Sequence, residues 1–70
     1  MSKIIDCIWF TSTRTVGIIV TEDERTKERR AYIGVVDGDN EELDKLYIKE
    51  HGAPVSVMAM KQVVREMEGK

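Results

Sequence analysis

Apolar positions along this chain change their spacing once. From Ile4 to Val36 they fall in three short runs, Ile4–Thr11, Thr15–Glu22 and Arg29–Val36, rich in β-branched and aromatic residues and reading with the period of two of a strand. From Asp39 onward they recur three and four residues apart, in two helical stretches, one opening at Asp39 and one at Ser56. Short polar links join the three runs, so the shortest connection is an antiparallel meander. The pattern predicts an α+β domain of order β-β-β-α-α, a three-stranded antiparallel meander followed by two helices packed on one sheet face.

The first run is apolar on both sides. Ile5, Cys7 and Trp9 share one face, and Ile4, Asp6, Ile8 and Phe10 the other, as in a strand covered twice. In the second run Val16, Ile18 and Val20 point together. Gly17 marks a bulge or the close approach of a neighbouring side chain, with Trp9 the candidate. In the third, Ala31, Ile33 and Val35 oppose Tyr32, Gly34 and Val36. The segment Asp23-Glu24-Arg25-Thr26-Lys27-Glu28 has no apolar residue and reads as an exposed hairpin tip.

Helix signals follow. Asp39 with Glu42 has capping-box spacing, and Asn40 is the alternative cap. Leu43, Leu46, Tyr47 and the stem of Glu50 make one stripe at helical spacing. His51-Gly52 is a stop signal with Gly52 as the left-handed residue, and Pro54 blocks continuation. Ser56 caps the last helix, where Val57, Met60, Val64 and Met67 form a narrow stripe widened by Met58 and Val63.

Seventy residues make one domain with a marginal core, which small domains reinforce by disulfides, a metal or oligomerisation. Cys7 is the sole cysteine and His51 the sole histidine, so neither an internal disulfide nor a four-ligand zinc site is expected, and no cofactor is implied. A lone cysteine in an apolar strand fits a reducing compartment, and Asp6 interrupts the first apolar run, so a cytoplasmic protein without signal peptide or membrane span is expected. The net charge of −2 with 34% charged residues gives no general basis for phosphate binding.

Each candidate chemistry has a plainer counterpart. Asp37-Gly38-Asp39-Asn40-Glu41-Glu42 is dense enough for a cation loop. An EF-hand loop starting at Asp37 would want glycine at Glu42 and glutamate at Ile48, however, and a turn with a helix cap explains the acids. Cys7 and His51 lack an orienting group and an oxyanion hole, so catalysis is not expected. Thr11-Ser12-Thr13-Arg14-Thr15 offers hydroxyls and a cation but no glycine-rich turn into a helix. Trp9, Phe10 and Tyr32 cannot form one stacking platform, because Trp9 and Phe10 alternate. Arg25, Lys27, Arg29 and Arg30 form the only basic cluster, offset by Glu22, Asp23, Glu24 and Glu28.

Two helices on one face would leave Ile4, Ile8, Phe10, Ile19 and Tyr32 uncovered on the other, with Met58, Val63 and Met67 as an adaptable helix flank. These eight residues are the expected interface of a non-enzymatic, self-associating protein-interaction module, of accessory or regulatory kind. The alternative is a nucleic-acid-associated regulator using Arg25, Lys27, Arg29 and Arg30. A third reading, a small-ligand site near Thr11–Arg14 and His51, is weaker still.

The strings Trp9-Phe10-Thr11, Gly17-Ile18-Ile19-Val20 and Ala31-Tyr32-Ile33-Gly34, with the acidic helix start and the His51-Gly52-Ala53-Pro54 break, resemble small uncharacterised proteins of phage-like or thermophile genomes. The resemblance implies no activity and no functional residues.

Overall fold

The computed structural model describes residues 2–13 and 15–68, the side chains at 63, 64, 67 and 68 excepted. The chain runs β1 (Ser2–Trp9), β2 (Val16–Asp23), β3 (Arg29–Val35), α1 (Glu41–His51), β4 (Ala53–Val55), α2 (Val57–Glu68). All strands pair antiparallel in one sheet of order β1-β2-β3-β4. The α+β class and the meander are as the apolar pattern predicts. The fourth strand is an addition, because a three-residue segment holding Pro54 carries no strand periodicity. Pro54 pairs with Tyr32 at the sheet edge, where a missing N–H is tolerated.

The helices do not share a face, which corrects the expected packing. Ile18, Val20, Ala31 and Met60 form one buried cluster, joined by Ile8, Phe10, Ile33, Val55 and Val57, so α2 covers this side. Ile19, Val36 and Ile48 form another, joined by Ile4, Cys7, Trp9 and Tyr32, so α1 covers the opposite side. The reason lies in the strands themselves: both faces are apolar, and one layer of helices can cover only one. Because β4 lies in the sheet between the two helices, it carries the chain from one side to the other.

Strand β1 contains a bulge, at Ile5 rather than at Gly17. Ile4 pairs with Thr21 and Asp6 with Val20, so one residue is inserted and the alternation shifts. Ile4 therefore joins Cys7 and Trp9 instead of Ile8 and Phe10. Trp9 does approach Gly17, its direct cross-strand partner.

Asn40, not Asp39, caps α1. Its Oδ1 accepts from the backbone N–H of Glu42 at 3.1 Å and of Leu43 at 3.2 Å. The residue three past this cap is Leu43, so no reciprocal box forms. Ser56 caps α2 as expected, with Oγ accepting from Ala59 N–H at 3.0 Å. Gly52 is extended at φ −72° and ψ 154°, not left-handed. The chain passes directly from it into Ala53, which pairs with Ile33. Glycine is needed because a Cβ here would overlap the Ile48 carbonyl and lie 2.9 Å from the Ile33 carbonyl oxygen.

Candidate functional site

Helix α1 faces the sheet in the opposite sense to its apolar stripe. Its buried residues are Asp44 and Ile48, one turn apart, with Ile48 fully enclosed. Ile48 reaches the sheet over Gly34, where a Cβ would stand 3.4 Å from Ile48 Cγ1. At 100° per residue this turns Leu43, Leu46, Tyr47 and Glu50 away from the sheet. Leu43 is 63% exposed and Leu46 and Tyr47 are each 49% exposed. Tyr47 also lies against the His51 ring, centroids 4.6 Å apart.

The helix is tied to the sheet near its C-terminal end. There Lys49 Nζ donates to the Ser2 carbonyl at 3.2 Å, and the Gly52 N–H closes the last turn on the Ile48 carbonyl at 2.7 Å. Glu41 and Lys45 form an i,i+4 pair at 3.3 Å along one flank. Acids occupy the first turn (Glu41, Glu42, Asp44) and bases the last (Lys49, His51), which complements the helix dipole and polarises the helix from end to end.

Beside this stripe, α1 and the end of β3 flank an open surface cavity of about 630 Å³, lined by Val35, Val36, Asp37, Leu43, Asp44 and Tyr47. Val35 is 68% exposed at its rim. Asp44 is 6% exposed, and its Oδ2 has no hydrogen-bond partner among the described residues.

Of the eight residues expected to form one interface, the six with described side chains are dispersed. Ile19 is fully buried beneath α1, with Ile4 and Tyr32 packed beside it. Ile8 and Phe10 pack on the α2 side. They do not make a common surface, because each sheet face has its own helix. Met58 stands out from α2. The side chains of Val63 and Met67 lie outside the described residues, as does that of Val64. Among the described residues, exposed apolar side chains gather on the α1 stripe and Val35, with Ile5 and Met58 exposed elsewhere. The stripe's helical spacing was legible in sequence. Its outward direction was not, because such a stripe ordinarily packs inward.

The other candidate groups are engaged locally. Thr11 Oγ1 accepts from the Thr15 N–H at 2.9 Å and lies 2.9 Å from Thr15 Oγ1, and Thr13 joins the pair at 3.2 Å from Thr15, so these hydroxyls hold the loop together. Arg14 lies outside the described residues. At the hairpin tip Arg29 pairs with Glu22 at 3.2 Å and Arg30 with Glu28 at 3.8 Å, while Arg25 and Lys27 are exposed. Cys7 is half-buried among the α1-side residues, and burial pushes its thiol up from the ordinary value. Lys45 opposes the rise, and Glu41 and Asp6 add to it. His51 sits on the exposed end of α1 against Tyr47 and Glu50. Among the described residues no three His, Cys, Asp or Glu side chains converge as a metal site, and no helix is long and apolar enough to cross a membrane.

Comparison with protein-family models, curated proteins and solved structures yields no match for this chain.

Proposed function

We propose that the protein is a non-enzymatic interaction module that self-associates through the outer face of α1. One observation carries the reading: α1 turns Asp44 and Ile48 to the sheet and Leu43, Leu46 and Tyr47 to solvent. Exposing the apolar stripe of a helix while burying a carboxylate runs against the burial preference of both, and such local violations concentrate at working surfaces. Val35 beside the helix extends the patch.

A second copy is the occupant that the charges favour. In a two-fold pair the same surface meets itself, so two α1 helices lie antiparallel. The acidic first turn of one then lies beside the basic last turn of the other, with Glu42 and His51 meeting while Glu41 and Lys49 keep their partners within the chain. A parallel arrangement would set like charges together. The seam would be made by Leu43, Leu46 and Tyr47 from each copy, with Glu50 at its edge. The role that follows is architectural or regulatory, with assembly as the controllable step. The basic hairpin is not the preferred surface, since Arg29 and Arg30 are each paired with an acid.

Sedimentation equilibrium from micromolar to millimolar concentration tests this. The wild-type chain is expected to associate, and Leu46→Glu to remain monomeric with an unchanged far-ultraviolet circular dichroism spectrum. A wild-type chain that stays monomeric throughout, or a Leu46→Glu variant that associates equally well, would overturn the proposal.

A further inference from the structure

The cavity between β3 and α1 has a chemistry of its own. Its apolar walls are Val35, Val36, Leu43 and Tyr47, and among the described residues its charged groups are two carboxylates, Asp37 and Asp44. Asp44 is more than nine-tenths buried, with Oδ2 unpartnered among the described residues. A buried acceptor without a donor is costly, and because this oxygen is closed off from solvent, a ligand's donor would satisfy it only with the carboxylate turned toward the cavity. Asp37 adds a second negative charge at an exposed position in the same wall. The volume of about 630 Å³ lies within the range usual for small-molecule sites, roughly 300–1,000 Å³.

We infer that this cavity is a binding site for a small organic cation: a protonated amine on a compact apolar body, the ammonium directed to Asp44 and Asp37 and the body lying against Val35, Leu43 and Tyr47. An anion would face two carboxylates. A neutral apolar molecule would leave Asp44 without a donor. A hydrated metal ion would find only these two carboxylates among mostly apolar walls, so the combination of walls and charges selects an amphipathic cation. The site is formed within one chain and does not require self-association. Because Leu43 and Tyr47 also belong to the proposed seam, an occupied cavity would alter one wall of that surface.

Phenethylamine is a suitable probe, with 2-phenylethanol as its neutral counterpart of nearly equal shape. Amide chemical shifts are followed during titration of the wild type and of Leu46→Glu, which lies outside the cavity and reports binding to the single chain. Phenethylamine is expected to shift residues 35–37 and 43–47 and to bind at least about tenfold more tightly than 2-phenylethanol, the usual scale for a charged hydrogen bond. Asp44→Asn should remove most of that difference, and Asp37→Asn, at an exposed position where folding is not at risk, a smaller part of it. Equal affinity for amine and alcohol, no shifts at millimolar amine, or full amine preference in both aspartate variants would overturn the inference. If the single-chain variant binds the amine while the wild type never associates, the cavity assignment stands and the self-association proposal falls. The reverse result separates them in the other direction.

Discussion

Trp9 lies across Gly17, its cross-strand neighbour, so that a Cβ at position 17 would overlap Trp9 Cε3 and come within 2.6 Å of Cζ3. The indole fills the space a side chain would take, and in doing so covers the rim of the Ile19–Val36–Ile48 cluster. Gly17→Ala should therefore destabilise the domain despite the poor strand propensity of glycine. Overpacking of this kind costs about 1–3 kcal/mol, visible as a lower urea midpoint with an unchanged slope. An unchanged midpoint would mean that the indole can move aside without loss.

The core on the other sheet face depends on Met60. Among the described residues it is the buried side chain of α2, packed with Ile18, Val20 and Ala31. Met60→Ala should cost about 2–4 kcal/mol by cavity formation. Truncation after Gly52 removes Val55, Val57 and Met60 together and uncovers that face, so the shortened chain should lose its cooperative thermal transition. Retention of that transition would show that the sheet and α1 suffice.

At the β2–β3 tip, Asp23 accepts from the backbone N–H of Arg25 at 2.8 Å and of Thr26 at 2.9 Å. Those two bonds hold its carboxyl below the ordinary value of 3.8. With the folded value depressed, the stabilisation is complete above the unfolded value and is lost as pH falls through the folded one. Hydrogen exchange at Arg25 and Thr26 should accelerate below about pH 4 relative to the intrinsic rate, and Asp23→Ala should show that loss of protection at neutral pH. Lys27, in the same turn, is left-handed at φ 62°. Lys27→Gly relieves that conformation and should stabilise the domain by about 0.5–1 kcal/mol, read as a higher Tm.

The Cys7 thiol should react slowly in the native state. Burial raises its pKa, so at pH 8 the folded chain holds less thiolate than the unfolded one. Because the folded value is the higher, its contribution to stability is complete below the ordinary value of 9.0 and is lost as pH rises through the raised one. Labelling by a thiol reagent is expected to be several-fold slower than in urea-unfolded protein. Stoichiometric native labelling at the unfolded rate would place the sulfur in open solvent.

What the amino-acid sequence determined by itself was local. β-Branched alternation in Ile4–Thr11, Thr15–Glu22 and Arg29–Val36 specified the strands, and the short polar links specified their antiparallel order. Ser56 announced the second helix, and Gly17 announced the approach of Trp9. These features depend on neighbours in the chain or on the adjacent strand, and side-chain shape and backbone preference decide them. Tertiary structure decided where each layer went. Ala53-Pro54-Val55 becomes a strand only because β3 offers an edge, and with that edge occupied the two helices fall on opposite faces. Ile19 and Tyr32 are thereby interior, while Leu43, Leu46 and Tyr47, which have the spacing of a core stripe, point outward. Periodicity marks one side of a helix as apolar but leaves open which side meets the sheet. Here that was settled by Ile48 fitting over Gly34, by the close passage of Gly52 against Ile33, and by the tie from Lys49 to Ser2, contacts between segments far apart in the chain.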